Sequence, residues 1–277
     1  MMKTSVSCCR LEWIYGMQGA AELLREVGFD AVDFDLRRGA KAPFPTKDEA
    51  DAIIENAKIH LSANGIVCEQ AHGPFGMKET CALDMSDEIF ARTVNSFYQY
   101  ARLGAKYVVV HPFGVADPEK DEVPGNVEMY RALLPYAKDA GVKIATENVF
   151  HRTMQTPEKI NRLLHTVADE DLVVCFDTGH STVVGTPPEE FISKLDPHFL
   201  QVLHLHDNDG VHDRHMLPYT GVMKWDKIID ALKAADYKGN VNLEIPLYIE
   251  GMCKEALPEA MVLAAKVGRH IAEKLGE

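Results

Sequence analysis

The sequence lacks several features that mark particular classes of protein. Its six cysteines are few for 277 residues and show no paired CxxC spacing, which argues against a disulfide framework and against a zinc finger. It contains no run of about 18 apolar residues and does not open on an apolar signal segment, so neither a membrane span nor an export signal is predicted. We therefore expect a cytoplasmic protein with reduced thiols.

Basic residues are in the minority. The chain has 42 aspartates and glutamates against 29 lysines and arginines, a formal net charge of −13. Such a charge repels polyphosphates and anionic lipid at long range. We expect no membrane partner, and the charge disfavours nucleic acid as a partner.

Short β-branched apolar runs alternate with longer amphipathic stretches along the whole chain, a pattern typical of repeated βα units and a parallel sheet. Eight strands are predicted, at Thr4–Cys9, Ala31–Leu36, Ile66–His72, Tyr107–His111, Lys143–Asn148, Leu172–Asp177, Leu200–Asp207 and Val241–Pro246. Helices are predicted near Gly19–Val27, Lys47–Asn64, Asp84–Leu103, Val127–Ala140, Pro157–Val167, Pro188–Lys194, Lys224–Ala235 and Lys254–Lys274.

Several helix ends carry recognisable cap residues. Thr46 precedes an acidic first turn, Thr156 precedes a proline, and Gly104 and Gly141 follow helical patterns. No linker or change of composition divides the chain, so residues 1–277 are predicted to form a single-domain α/β (β/α)₈ TIM barrel. A doubly wound open sheet is the alternative, but it would normally carry a GxGxxG or GxxxxGK[ST] phosphate loop, and neither occurs.

Polar residues follow the predicted strands at the end where a barrel of this type builds its active site. Glu147, Asp177, His206 and Glu244 end strands five to eight, and alternation along each strand favours inward side chains. Three inward carboxylates at one mouth would repel each other unless they were protonated or bound a cation. With His206 they form a mixed oxygen and nitrogen set that suits Mn²⁺, Mg²⁺, Co²⁺ or Zn²⁺.

The segment after the seventh strand is too long and polar for a simple connector, and long loops of this kind are usually functional. Asp213 and His215 alternate around Arg214 and could point into the same mouth. The alternative is a solvated loop held by turns at Asp207 and Asn208.

These residues give the sequence a resemblance to the xylose-isomerase-like TIM barrels, a family of sugar isomerases, ketose 3-epimerases, inosose dehydratases and, as an outlying branch, endonuclease IV. The resemblance spans nearly the whole chain. It implies one divalent metal held by Glu147, Asp177, His206 and Glu244, with Glu147 and Glu244 also acting as the catalytic acid and base. It further implies that His180 contacts the substrate, and we expect His72 and His111 to line the pocket.

The sequence also resembles the endonuclease IV pattern, a three-zinc site built from nine ligands. That resemblance implies possible additional metal ligands at His72, His111, His180, Asp213 and His215. The acidic balance and the scarcity of basic or aromatic wedges after the first two strands weigh against DNA repair.

The expected function is therefore metal-dependent isomerisation or epimerisation of a sugar, sugar phosphate or polyol, by proton transfer through a metal-stabilised enediolate. Two alternatives stay open: a multi-zinc phosphodiester hydrolase, and a non-catalytic barrel that senses a metal or sugar. Among the remaining residues, His204, Gln70 and Asn242 are expected to support the site, and Cys8 and Cys9 to be packing thiols. The resemblance also permits a homodimer or homotetramer.

Overall fold

The computed structural model describes residues 2–37, 44–74, 86, 88–114, 120–150 and 154–277. Eight parallel strands form a nearly closed sheet in the order β7-β6-β5-β4-β3-β2-β1-β8, which confirms the predicted (β/α)₈ barrel; the boundary of one domain at residues 1–277 stays a prediction. The strands are β1 (Thr4–Ser7), β2 (Ala31–Asp35), β3 (Val67–His72), β4 (Tyr107–Val110), β5 (Lys143–Glu147), β6 (Leu172–Asp177), β7 (Leu200–His204) and β8 (Val241–Leu243).

The closure between β7 and β8 is short. One bridge joins Leu205 to Leu243, with the Leu205 N–H donating to Asn242 (2.9 Å) and the Glu244 N–H donating to Leu205 (3.0 Å). β7 ends at His204 and β8 at Leu243, so both strands are shorter than the predicted Leu200–Asp207 and Val241–Pro246. Pro246 has no N–H to continue the ladder and instead begins a short helix.

The helices agree with most of the predicted positions, with three differences. The first helix starts at Cys9, because a helical piece that the sequence pattern does not predict precedes a non-helical kink with positive φ at Gly16 (φ 71°, ψ 167°). Short helices after the sixth and eighth strands were not predicted. The helices are α1 (Cys9–Val27), α2 (Lys47–Ala63), α3 (Glu88–Leu103), α4 (Val123–Ala140), α5 (Pro157–Val167), α6 (Thr178–Val183), α7 (Pro188–Lys194), α8 (Trp225–Ala234), α9 (Pro246–Glu250) and α10 (Leu257–Gly276).

The predicted caps are confirmed where the structure describes them. Thr46 forms a reciprocal capping box with Glu49, and the Thr156 hydroxyl accepts from the Lys159 N–H. Gly141 is left-handed at the end of α4. The predicted helix start at Asp84 lies outside the described residues, as does Cys81. No helix in the described ranges is long and apolar enough to cross a bilayer.

The side chains divide into two layers. The larger apolar core lies between the helices and the outer faces of the strands. A small inner cluster fills the barrel, formed by Val109, Ala145, Val173, Cys175 and Val202. Inward Val202, Cys175 and Ala145 agree with the alternation on which the site prediction depends, since the polar residues two positions further along these strands then point to the mouth.

A partly buried carboxylate links four segments at the opposite end of the barrel. The Glu69 carboxylate of β3 accepts from Lys3 (2.9 Å), Lys106 (2.7 Å) and Asn240 (2.7 Å), which precede β1, β4 and β8. Burial would raise the pKa of Glu69, but Lys106, Asn240 and Lys3 lower it to about 2. These contacts tie together strands that lie far apart in sequence.

The Glu69 cluster should contribute stability that depends on pH. Because the folded-state pKa lies below that of the unfolded chain, roughly 4.3 for a glutamate, the contribution is complete above that value and is lost as the pH falls toward about 2. Discounted for screening by solvent, the loss is about 1–2 kcal/mol. Chemical denaturation between about pH 6 and about pH 3 should therefore show a smaller loss of unfolding free energy for Glu69→Gln than for the wild type. Exposed Glu259→Gln is the control; equal pH dependence in all three proteins would contradict this assignment.

Candidate metal and active site

The strand ends bring the four predicted metal ligands to one mouth of the barrel. Glu147 ends β5 and Asp177 ends β6, whereas His206 and Glu244 follow β7 and β8 by two residues and one. The first three are at most 1% exposed, and the Glu244 side chain is 15% exposed. Carboxylates buried to this degree require charged or hydrogen-bonded partners, since desolvation of an isolated ion costs many kcal/mol.

Imidazoles surround Glu147 on both of its oxygens. Its Oε1 lies 3.1 Å from His204 Nδ1 and 3.3 Å from His180 Nδ1, and its Oε2 lies 2.8 Å from His111 Nε2 and 3.6 Å from His72 Nε2. Burial alone would raise the pKa of Glu147, but His204, His111 and His180 lower it well below its ordinary range. The carboxylate is therefore ionised and is the centre of the cluster.

Asp177 has two structural tasks. Its Oδ1 accepts from the His180 N–H (2.6 Å) and caps α6, while His206 Nε2 lies 3.1 Å from Oδ1 and 3.0 Å from Oδ2. Burial would raise the pKa of Asp177, but His180 and His206 lower it. The local order Asp-Thr-Gly-His thus places one carboxylate between two imidazoles, because the strand turns directly into a helix.

The loop after β7 is held from inside the protein. Buried Asp207 accepts from the N–H groups of Asn208 (3.0 Å) and Met223 (3.2 Å) and from the Trp225 indole (2.8 Å). Asn208 accepts from the Gly210 N–H at 2.8 Å. Of the two turns expected in the alternative of a solvated loop, the one at Asn208 is therefore present, whereas Asp207 ties the loop to Met223 and Trp225.

This loop carries Asp213 and His215 into the mouth. His215 Nε2 lies 2.9 Å from Asp213 Oδ2, and the His215 ring stacks on His206 with centroids 4.2 Å apart. His215 adopts a left-handed backbone (φ 43°), a conformation that costs energy for a residue other than glycine and often occurs at functional sites. Burial would lower the pKa of His215, but Glu244 and Asp213 raise it to about 9. The pKa of Asp213 is lowered, against the effect of burial, by His180 and His215.

The structure brings all nine predicted site residues together at the mouth. His180 lies beside Glu147, Asp177 and Asp213, and the other eight fall into groups of donor atoms that differ in one respect from the predicted quartet. Within the described residues, donor atoms within 4.8 Å of one another form four overlapping groups: His72, His111 and Glu147; His72, His204 and Glu244; His206, Asp213 and His215; and Glu147, Asp177, His204 and Glu244. His204 thus takes the place expected of His206 beside the three carboxylates, and His206 joins the loop residues while it keeps its contact with Asp177.

The donor atoms fit a divalent cation. Asp213 Oδ1 and Glu244 Oε2 are buried oxygens without a directed hydrogen bond, a costly arrangement in the absence of a cation, and Glu147 Oε2 lies among imidazole nitrogens in the same mouth. Imidazole nitrogens lie beside all three oxygens, and imidazole with carboxylate is a donor set that Zn²⁺ and Mn²⁺ accept. The residues present therefore suit a bound metal.

A cavity of about 440 Å³ opens above these groups. That is enough for a ligand of monosaccharide size. Burial lowers the pKa of His111 to about 4, against the effect of Glu147, whereas Asp177 and Asp213 raise the pKa of His180 well above its ordinary range despite burial. The described lining is formed by Arg37, His72, His111, Glu147, Val149, Phe150, His180, Asp213, His215 and Glu244.

A buried polar network supports the mouth, and its central residue was missed by sequence reasoning. Asp33 Oδ2 accepts from Gln70 (2.8 Å) and Asn242 (3.3 Å) and lies 2.9 Å from His204 Nε2. His204 therefore bridges Asp33 and Glu147. The sequence predicts that Gln70, Asn242 and His204 support the site, and they do contact it. Asp33 could have been found from its position, because it and Asp35 are the two charged residues of the short, otherwise apolar strand β2.

Comparison with known proteins decides the family. Residues 21–264 match the model described as "Xylose isomerase-like TIM barrel". The chain belongs to this family. An uncharacterized protein of Sinorhizobium fredii, y4fM, is 27% identical over 283 residues, with 89% of each chain covered. An inosose dehydratase of Glaesserella parasuis is 24% identical over 169 residues, with 54% of each chain covered.

Solved structures share the fold of this family member at low sequence identity. A D-psicose 3-epimerase crystallised in the presence of D-fructose is 19% identical, with a TM-score of 0.74 and complete coverage of both chains. The IOLI protein with a bound zinc atom is 18% identical, with a TM-score of 0.75 over 99% of this chain and 98% of that one. At these identities the likeness establishes the barrel architecture, and the residue roles depend on the geometry described above.

Proposed function

We propose that this family member is a divalent-metal-dependent isomerase or epimerase that acts on a small sugar or polyol by proton transfer. The observation that carries the proposal is that Glu147 and Glu244, at the ends of β5 and β8, lie in a single group of donor atoms at one mouth, where the Oε2 of Glu244 is buried without a directed hydrogen bond. Epimerase and dehydratase activities among similar proteins support the same class of chemistry.

The two glutamates would exchange the proton. One carboxylate removes it from the carbon next to a carbonyl, and the other returns a proton to the opposite face or to the neighbouring carbon. His180, His72 and His111 line the cavity and would hold substrate oxygens. A metal held by Glu147, Asp177, Glu244 and either His204 or His206 would polarise the carbonyl and acidify the adjacent C–H.

A second candidate, a multi-zinc phosphodiester hydrolase, is favoured by one observation. The central group is Glu147, Asp177, His204 and Glu244. The group His72–His111–Glu147 shares only Glu147 with it, and the group His206–Asp213–His215 shares no residue with it. The mouth therefore offers donors for more than one ion. The charge argues against it: Arg37 is the one lysine or arginine among the described residues that line the cavity, and a duplex binder would need a basic surface.

Elemental analysis and solvent-deuterium exchange test the proposal together. We expect at least one divalent metal per chain and metal-dependent exchange of a C–H next to the carbonyl of one member of a panel of ketoses, aldoses and inososes. About three zinc ions per chain with hydrolysis of a phosphodiester would instead establish the second candidate. Absence of exchange across the panel by the metal-loaded protein would contradict the proposal.

A further inference from the structure

A second, smaller cavity lies beside the metal mouth, between the ends of β1 and β2 and the start of α1. Its volume is about 70 Å³, room for a fragment of a few hydroxyl-sized groups, since one water occupies roughly 10–15 Å³ on this measure. It shares Arg37, His72 and Glu244 with the main cavity. A ligand anchored at the mouth could therefore extend into it.

The walls of this cavity carry polar atoms that have no hydrogen-bond partner in the described structure. They are Ser7 Oγ, Asp33 Oδ1 and the Nε and Nη1 of Arg10. Ser7 and Asp33 are side-by-side neighbours in the β1–β2 ladder. Asp33 is fixed because its other oxygen, Oδ2, is engaged by Gln70, Asn242 and His204. Buried polar groups are almost always paired, so such a concentration indicates a ligand.

Arg10 is held in place without using all of its donors. Its guanidinium lies 3.9 Å from the centroid of the Trp13 ring, and its Nη2 lies 3.1 Å from Glu250 Oε2. Stacking and a single ion pair orient the group. The Arg10 side chain is only 12% exposed, so its remaining N–H donors have little access to water as a hydrogen-bond partner.

The charges around this cavity select a neutral ligand over an anion. Arg10 faces Glu250, and Arg37 donates through its Nε to Asp35 at 2.7 Å. Each arginine thus has a carboxylate, and Asp33 and Glu244 add further negative charge to the same walls. A phosphate would meet these carboxylates, whereas a hydroxyl can accept from Arg10 and donate to a carboxylate oxygen.

We infer that this cavity, defined by Ser7, Arg10 and Asp33, is a polyol subsite that binds the hydroxylated, unphosphorylated end of the substrate. The inference rests on the proposed function, because the reacting end of the same molecule would lie at the metal mouth. It narrows the substrate class from sugars and sugar phosphates to neutral polyhydroxy compounds long enough to span both cavities.

Binding of three probes to the metal-loaded protein tests the subsite by calorimetry: D-fructose, D-fructose 6-phosphate and dihydroxyacetone, which is too short to reach it. We expect D-fructose to bind at least ten times more tightly than its 6-phosphate. Ser7→Ala should weaken D-fructose binding about 3–10-fold and Arg10→Gln about 10–100-fold, the ranges for hydrogen bonds to neutral and to charged groups. Neither change should alter dihydroxyacetone binding.

Ser5→Ala is the matched control, because Ser5 Oγ is also buried and unpartnered on the same strand but does not line this cavity. Equal effects of Ser5→Ala and Ser7→Ala, or tighter binding of the 6-phosphate, would overturn the subsite and leave the proposed function intact. If D-fructose and dihydroxyacetone both fail to bind, the subsite as stated is refuted, whereas the proposed function is tested separately by deuterium exchange across the sugar panel.

Discussion

Glu244→Gln is expected to lose about three orders of magnitude in turnover while its thermal stability stays close to that of the wild type. General acid–base catalysis contributes roughly 10²–10⁴-fold, and glutamine keeps the shape of glutamate but cannot take up the proton. The Glu244 side chain is partly exposed and follows a three-residue strand. Its loss should therefore disturb the chemistry more than the fold. Turnover, deuterium exchange and thermal unfolding are the measurements, with exposed Glu255→Gln as the control.

Glu147→Gln should lose turnover to a similar extent but should also lose stability. Glu147 is buried among four imidazoles, and removal of one partner from a buried charged pair costs about 3–5 kcal/mol. The difference in stability between the two variants follows from the deeper burial of Glu147. Metal content must be measured in both. If saturating metal restored turnover in either variant, that glutamate would serve as a ligand and not as an acid or base, and full activity in both would refute the mechanism.

The positions of the site residues could be predicted from the sequence because strand ends and alternation are local properties. Glu147 and Asp177 end strands whose apolar residues fix the inward face, so their convergence follows from the barrel alone. His72, which ends β3, and His111, which follows β4, converge for the same reason. No long-range information was needed beyond the count of eight βα units.

The choice between His204 and His206 could not be predicted. Both point inward, but the order of contacts depends on Asp33, which comes from β2 and is 171 residues from His204 in sequence. It also depends on His215, which stacks on His206 and has a left-handed backbone. Arg10 directly follows the predicted first strand, which places it at the mouth, but its contacts with Trp13 and Glu250 could not be predicted, because Gly16 interrupts the helical pattern and α1 was expected to begin well after Arg10.

Gly179→Ala should expel the His206 ring from its position, although a glycine-to-alanine change within a helix normally gains up to about 1 kcal/mol. A Cβ on Gly179 would lie 1.9 Å from His206 Cε1 and 2.5 Å from its Nε2. These distances are shorter than any non-bonded contact, so the ring would have to move. The ring cannot simply shift away, because His215 stacks against it. Its contact with Asp177 would therefore break.

We expect Gly179→Ala to lower metal affinity at least 10–100-fold, the effect usual for disturbing the support of a ligand, and to cost about 1–3 kcal/mol of stability from overpacking. Competition with a chelator and thermal unfolding measure the two effects. Gly268→Ala is the matched control, because a Cβ there would meet Leu243 at 3.4 Å, an ordinary contact. The clash is absent once His206 is alanine, so Gly179→Ala should cost no further stability in a His206→Ala background, where metal affinity stays low. Wild-type metal affinity in Gly179→Ala would show that His206 is not a metal ligand. Wild-type stability in Gly179→Ala would show that the close approach of Gly179 to the His206 ring does not constrain the site.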